Sequence, residues 1–227
     1  LLCVGAGDMY DGPLTLVTNA PESTNWQASG VRVRQRVVLR SRDIAVGLGL
    51  VIAWGRVTEW MPPRPPAIDA GMTSKGIARL RAKVVDRLPM SGLAEFVVAS
   101  DLNIGSSLAV VAEGPIRRMR AALSVALSGR RLFQPAPSDV AALVGLGPGL
   151  TPSGDDFLGG MMVGLHAVHQ DAFAQDLWRV INDCNENAVN IVSWAHLRAA
   201  ADGMSADGIL RLACVIGSGG NIDDEIL

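Results

Sequence analysis

The chain has 227 residues, of which 49% are hydrophobic and 19% are charged. This length suits one domain of ordinary size, and the apolar content excludes an intrinsically disordered chain. The 20 basic and 22 acidic residues give a net charge of −2, which argues against nucleic acid or an anionic membrane as the main partner.

Cysteine usage and hydropathy predict the compartment. The three cysteines have no CxxC spacing and no histidine at zinc spacing, so we expect reduced thiols and exclude a disulfide scaffold or a zinc knuckle. The longest charge-free apolar stretches, residues 44–54 and 157–170, are shorter than the roughly 18–20 residues that a membrane-spanning helix needs. The sequence therefore predicts a cytoplasmic protein without a membrane segment.

The first part of the chain, up to residue 66, is predicted to be rich in β-structure. Residues 1–4 are typical of a strand interior, and residues 14–18 form a short strand candidate between turn residues. Residues 31–38 begin with alternating valine and arginine, which predicts a half-buried strand with a basic solvent face. Residues 44–54 are continuously apolar, as in a more deeply buried strand or strand pair. A proline-rich segment then ends this part.

The remainder, residues 67–227, has mainly helical periodicity. One more strand is expected at residues 96–99. The predicted helices cover residues 77–88, ending at Pro89, residues 116–127, a short helix from a Ser138 cap to Gly145, a helix from Ser153, residues 172–201 and residues 206–215. The predicted fold class is α+β, with a β-rich N-terminal lobe (1–66) and a mainly helical lobe (67–227) in one compact unit.

The residues that indicate chemistry lie in one segment, GLGPGLTPSGDDFLGG at 145–160. It is a glycine-rich loop that opens a helix. Such a loop leaves backbone N–H groups pointing in one direction, and the helix dipole favours an anion there. Thr151 and Ser153 add hydroxyl donors. The segment therefore predicts a site for a phosphate or carboxylate group.

A purely structural interpretation is also open, because Ser153 and Asp156 fit an S-x-x-D capping box. The density of glycine, proline, hydroxyl and acidic residues exceeds what a cap needs, which favours a functional site. The adjacent Asp155 and Asp156 would repel a phosphate unless something intervenes. One of them could hold Mg²⁺, act as a general base or hydrogen-bond a substrate NH₂ group, or both could cap the helix.

Residues 145–158 resemble the signature of a bacterial family that includes the AllH subunit of oxamate carbamoyltransferase. Weaker similarity extends to Ala53-Trp54 and residues 60–62, near the end of that family's β-rich part. The spaced residues of the family's following long helix are matched by Ser193, Leu197, Ala200 and Gly203. Two departures stand out: Asn190 lies where the family is expected to have threonine, and residues 216–223 match only loosely.

The resemblance implies carbamoyl transfer in allantoin (purine) breakdown, in which oxalurate and phosphate give oxamate and carbamoyl phosphate. It also implies that the enzyme needs other subunits and binds small anions at this loop. On this basis Asp155 and Asp156 are the predicted catalytic pair, positioning the carbamoyl or carboxamide nitrogen. The predicted substrate-binding residues are Gly147, Gly149, Thr151, Ser153, Gly154 and Ser193. No cofactor is expected, with Mg²⁺ left open.

Two other functions stay open at this point. Residues 153–160 also resemble the G-A-G-D-x-F-x-x-G motif of ribokinase-type sugar kinases, although the chain is shorter than such kinases and lacks clear βαβ repeats before the motif. The other alternative is a regulatory or assembly subunit whose loop binds an effector or shapes an interface. Structural roles are expected for His166 and His169, while Arg198 is a candidate second anion contact.

Overall fold

A computed structural model of the protein describes residues 1–63, 70–88, 92–98, 106–129, 132–184 and 189–222. The chain divides into two compact units, Leu2–Met61 and Pro62–Leu227, the second of which also includes Leu1. Within the described residues, small sheets lie in the N-terminal part and helices dominate the rest. This arrangement confirms the predicted α+β class.

The N-terminal unit contains two small sheets. Strands β1 (Cys3–Gly5) and β2 (Thr15–Val17) pair in parallel. Strands β3 (Val37–Leu39), β4 (Asp43–Val46) and β5 (Leu50–Ala53) form an antiparallel sheet in that order. The predicted strands at the start of the chain and around residue 16 are confirmed, and the apolar stretch 44–54 is a strand pair.

The prediction of a long strand in the alternating valine–arginine segment is wrong. Only its end belongs to β3, and Val33, predicted to be half-buried, is 93% exposed. Arg34 has a φ of 67°, in the left-handed region that a strand does not use. Alternation produces a strand only where a neighbour pairs with it, and no strand that the structure describes pairs with residues 31–36.

The helical unit contains eight helices within the described ranges. In chain order they are α1 (Ala70–Val84), α2 (Glu95–Val98), α3 (Ser107–Leu127), α4 (Pro137–Leu143), α5 (Ser153–Ala167), α6 (Asp171–Asp183), α7 (Ile191–Ala201) and α8 (Asp207–Ser218). Helix α5 packs against α6, α7 and α8, while α4 joins this group through α5 and α6. The largest fully buried side chains include Met119, Phe133, Leu143, Leu158, Met162, Leu177, Ile181 and Leu197.

Several predicted helices are confirmed, and four details are wrong. The strand predicted at residues 96–99 is part of the short helix α2, with Ala99 itself outside the described residues. Ser138 does not cap α4, because Ala136 occupies the N-cap position and Pro137 starts the helix. Helix α1 ends at Val84, before the predicted end at Pro89, which itself lies outside the described residues.

The fourth error is the long helix predicted over residues 172–201, which is two helices, α6 and α7. Apolar periodicity continues on both sides of the break, so periodicity alone does not reveal it. The side chain of Asn190 accepts hydrogen bonds from the N–H groups of Val192 and Ser193, which starts a new helix. Residues 185–188, between the two helices, lie outside the described part of the chain.

Two further predictions from composition concern the cysteine thiols and the absence of a membrane-spanning helix. All three cysteines are free, and burial raises the pKa of the Cys184 and Cys214 thiols. None of the helices in the described ranges combines the length and apolar character that crossing a membrane requires.

Candidate functional site

The glycine-rich segment forms the connection between α4 and α5. Three of its residues have backbone angles that favour glycine: φ is 72° at Gly145, 118° at Gly147 and 99° at Gly149. A side chain at these positions would strain the backbone. The glycines are therefore needed for the path of the loop, whatever the loop binds.

Gly154 brings the start of α5 against the end of α4. A Cβ atom at this position would lie only 2.0 Å from the carbonyl oxygen of Leu143. The N–H of Gly154 donates to the carbonyl of Leu146 over 2.9 Å. Gly154 is one of the residues predicted for the anion cradle, but its N–H is already bonded within the chain. This hydrogen bond fixes the loop to the start of α5.

Asp155 is the buried residue that holds the loop in place. It is 2% exposed. Its Oδ1 atom accepts a hydrogen bond from the N–H of Gly145 over 2.7 Å, and its Oδ2 atom accepts one from the hydroxyl of Ser193 over 2.6 Å. Ser193 lies on α7 and is 1% exposed. The carboxylate therefore connects the beginning of the loop, α5 and α7 through charge-assisted hydrogen bonds.

Asn190 holds the other end of the loop. Its Nδ2 atom donates to the carbonyl of Leu150 over 2.7 Å, while its Oδ1 atom caps α7. The amide of Asn190 therefore connects the start of α7 with the loop.

Several polar groups of the loop have no hydrogen-bond partner within the described part of the chain. No residue that the structure describes hydrogen-bonds to the Thr151 or Ser153 hydroxyl. The same holds for the backbone N–H groups of Gly147, Gly149, Leu150, Thr151 and Ser153. Four of the residues predicted for an anion cradle, Gly147, Gly149, Thr151 and Ser153, therefore carry donors without a described partner.

The predicted helix start at Ser153 is confirmed, but the capping-box interpretation is wrong. Pro152 occupies the N-cap position of α5, and no side chain caps this end. Ser153 is instead the first helical residue. Its hydroxyl lies beside Gly92, where an added Cβ would be 3.1 Å from the Oγ atom. The Ser153 hydroxyl therefore does not cap α5, as the structural interpretation requires it to do.

Asp156 lies on the exposed side of α5, and its carboxylate makes no hydrogen bond within the described residues. Partial burial of this carboxyl by the surrounding chain raises its pKa, the charge of Asp155 raises it further, and His196 opposes the shift. Two adjacent carboxylates thus have different environments: Asp155 has both oxygens engaged, and Asp156 is open to solvent.

The packing of α5 against α7 places His196 on the same side as Asp156. The Asp155–Ser193 hydrogen bond sets the register, and a Cβ at Gly159 would lie 3.8 Å from Leu197. His196 is one helical turn after Ser193, exposed, and its charge acts on Asp156. The residues of the motif do not indicate a role for this histidine. Its spacing from Ser193 was the available signal, but the spacing carries information only once the buried face of α7 is known.

His166 and Arg198 lie in different surroundings from His196. His166 Nδ1 is 2.6 Å from Asp171 Oδ1, and its Nε2 is 3.0 Å from the carbonyl of Ala201, as the predicted structural role requires. The guanidinium of Arg198 lies 5.6 Å from the centroid of the Trp178 ring. This contact engages Arg198 on the α6 side of α7.

Few residues in this region could hold a metal ion. Within the described ranges, no group of three or more histidine, cysteine, aspartate or glutamate side chains could ligate one. Both oxygens of Asp155 are already bonded inside the protein. Asp156 is therefore the acidic residue of the motif whose carboxylate has no hydrogen-bond partner among the described residues.

One comparison with known proteins gives a match, and it covers this region. Residues 143–225, less than half of the chain, match the model of the family described as oxamate carbamoyltransferase subunit AllH. The matched stretch begins at the end of α4 and includes the loop, α5 and α7. The match confirms the resemblance found in the motif and supports an AllH-type family assignment. No curated protein and no solved structure gives a significant match.

Proposed function

We propose that this chain is a subunit of a carbamoyltransferase and that its 145–156 loop binds the small anions of the reaction. One observation carries this proposal. The buried Asp155 fixes the loop through Gly145 and Ser193, while several N–H and hydroxyl groups of the loop have no partner among the described residues. Donors held open at a helix N-terminus suit a phosphate or carboxylate group.

The proposed reaction converts oxalurate and phosphate into oxamate and carbamoyl phosphate, as the family description supports. An oxygen of hydrogen phosphate forms a bond to the carbamoyl carbon, and the bond from this carbon to the oxamate nitrogen breaks. The proton of hydrogen phosphate ends on the departing nitrogen, so that no net proton is released. Negative charge develops on the carbamoyl oxygen, and oriented N–H donors stabilise such charge.

Asp155 and Asp156 have different roles in this proposal. Asp155, together with Ser193, positions the loop, because its oxygens are engaged inside the protein. Asp156 contacts the substrate, either by accepting a hydrogen bond from its NH₂ group or by carrying the transferred proton. The raised pKa of Asp156 supports the second role, because it makes the carboxylate a stronger base and brings its titration closer to neutral pH. A Mg²⁺ ion between Asp156 and phosphate is an alternative within the same proposal.

The family description as a subunit supports the presence of other chains in the working enzyme. We propose that partner subunits complete the site and that the substrate is an anion of the oxamate or carbamoyl phosphate kind. The free cysteines support a reducing, cytoplasmic location.

The experiment is thermal unfolding with phosphate, carbamoyl phosphate, oxamate and Mg-ATP, each added to the wild type and to Asp156→Asn. A ligand at 100 times its dissociation constant adds about 2.7 kcal/mol, or roughly 5–10 °C in Tm for a chain of this size. We expect carbamoyl phosphate or oxamate to raise the Tm of the wild type and to do so much less in Asp156→Asn. The matched control is Asp202→Asn, an exposed aspartate at the far end of α7.

The other outcomes decide against the proposal in different ways. A rise only with Mg-ATP would favour the sugar-kinase-like phosphotransferase. No rise with any of the four ligands would contradict anion binding by this loop and favour a regulatory or assembly subunit. An equal rise in wild type and Asp156→Asn would keep anion binding and remove Asp156 from the site.

A further inference from the structure

We propose that His196 is a further functional residue of this site, contacting the bound substrate together with Asp156. This inference rests on the proposed function, since it concerns the same loop and the same reaction. It goes beyond the motif, because His196 lies 40 residues after Asp156 and is brought beside it only by the packing of α7 on α5.

The position of His196 follows from the faces of α7. Ser193, Leu197 and Ala200 form the buried stripe that packs on α5. With about 100° of rotation per residue, Trp194 and His196 project from opposite edges of that stripe. Trp194 packs on Trp178 of α6, with ring centroids 5.1 Å apart. His196 therefore lies on the edge of α7 that faces away from α6.

The corresponding edge of α5 carries Asp156 and, one turn later, Gly160. Both are exposed. A Cβ at Gly160 would meet no atom within 4 Å, so there is open space over the helix surface next to Asp156. The two edges border the contact between α5 and α7, which includes the 2.6 Å hydrogen bond between Asp155 and Ser193.

The partners of His196 distinguish it from His166. His166 has a partner for each ring nitrogen, as a structural histidine does. His196 is exposed and makes no hydrogen bond or ion pair with any residue in the described ranges. Its charge lowers the otherwise raised pKa of Asp156, which supports the view that the two groups face each other. An open imidazole beside an open carboxylate is an arrangement that can bind and carry protons.

The proposed reaction gives this pair a task. One of the two groups accepts the proton of hydrogen phosphate as the phosphate oxygen attacks the carbamoyl carbon. The other group donates a proton to the oxamate nitrogen as the carbon–nitrogen bond breaks. A proton transfer between Asp156 and His196 then restores both groups, so that protons and charge balance over the cycle.

The first test observes the imidazoles directly by proton NMR, which is practical because the chain has three histidines. His196→Gln assigns the His196 Hε1 resonance. We expect inorganic phosphate or carbamoyl phosphate to shift this resonance in the wild type while leaving those of His166 and His169 in place. The shift should be reduced in Asp156→Asn and unchanged in the matched control His169→Asn, which removes an exposed histidine at the far end of α5.

The second test uses the complete enzyme with its partner subunits. We expect His196→Gln to lower kcat by 10²–10⁴-fold, the range of general acid–base catalysis, and to flatten the pH–rate profile. Because Asp156 and His196 act as one unit, Asp156→Asn combined with His196→Gln should be little worse than the worse single variant. His169→Asn should keep the wild-type rate. Tm values of the variants check that they fold.

The outcomes separate this inference from the proposed function. If phosphate or carbamoyl phosphate raises Tm but the His196 resonance and kcat of His196→Gln do not change, His196 has no such role and the anion site stands. If neither Tm nor any histidine resonance responds to these ligands, both proposals are overturned. A multiplicative loss in the double variant would also contradict the shared proton transfer.

Discussion

The first turn of α5 has one aspartate on its inner side and one on its outer side, and the surroundings of the two carboxylates are opposite. On the inner side, Asp155 is buried and both of its oxygens accept hydrogen bonds from other parts of the chain. On the outer side, Asp156 is exposed and has no hydrogen-bond partner within the described residues. The inner side therefore contributes to the stability of the fold, whereas the outer side leaves its polar groups available to a ligand.

The largest expected effect tests the inner side. Asp155→Ala leaves the Gly145 N–H and the Ser193 hydroxyl without their acceptor in a buried environment. We expect the free energy of unfolding to fall by about 3 kcal/mol, since each orphaned buried donor costs about 1–3 kcal/mol. Chemical denaturation measures this loss. Asp156→Ala is the matched control, with an expected change within about 0.5 kcal/mol; equal losses in the two variants would contradict the comparison.

Two glycines of α5 offer the next test. Gly154→Ala places a methyl group against the Leu143 carbonyl, so we expect a loss of about 2 kcal/mol from overpacking. Gly160→Ala adds the same methyl group in open space and should stabilise the helix by about 0.5–1 kcal/mol. Denaturation curves of the two variants should thus move in opposite directions. A loss in both would mean that the space above Gly160 is filled.

A smaller loss is expected from Ser193→Ala, which removes one of the two hydrogen bonds to Asp155. We expect about 1–2 kcal/mol, because the buried carboxylate keeps its bond from Gly145. The informative measurement is a double-mutant cycle with Asp155→Ala. If the hydrogen bond is the main role of Ser193, the double variant should be little less stable than Asp155→Ala alone. Fully additive losses would assign Ser193 a different role.

The smallest change in stability, with a defined sign, is expected on the outer side. Because the pKa of Asp156 is raised above its ordinary value of 3.8, the folded protein binds this proton more tightly than the unfolded chain does. The stability associated with that proton is present below pH 3.8 and is lost as the pH rises through the raised value. Asp156→Asn has no such loss, so at neutral pH it should have a Tm equal to the wild type or higher by about 1–2 °C.

The measurement is Tm of wild type and Asp156→Asn between acidic and neutral pH. The difference in favour of the asparagine variant should grow as the pH rises. A variant that is both more stable and less active would show that this carboxylate is retained for function. A variant less stable at neutral pH would instead indicate that Asp156 stabilises the start of α5.

The loop is the part of the site that sequence analysis describes best, for a physical reason. Its path needs positive φ at Gly145, Gly147 and Gly149, and such a need leaves a visible mark in the sequence. The division of work between Asp155 and Asp156 leaves no such mark. It depends on which side of α5 meets α7, and this is decided by long-range packing.

The errors in the fold have the same origin. The break between α6 and α7 depends on Asn190, whose capping role competes with apolar periodicity that continues across it. The alternation at residues 31–36 is a local pattern without a pairing strand within the described residues. Local signals therefore locate the helices and the loop, while tertiary partners decide where elements end and which side chains stay open.

The side chain of Asn190 has a dynamic consequence, because it joins two segments with a single amide. Its oxygen holds the first turn of α7 and its nitrogen holds the Leu150 carbonyl. If the first turn of α7 unwinds, the Leu150 end of the loop loses this hydrogen bond in the same event. Hydrogen exchange at the N–H groups of Val192 and Ser193 should therefore report the opening of the loop as well as the fraying of the helix. A ligand bound to the loop should slow this exchange, although it touches neither amide.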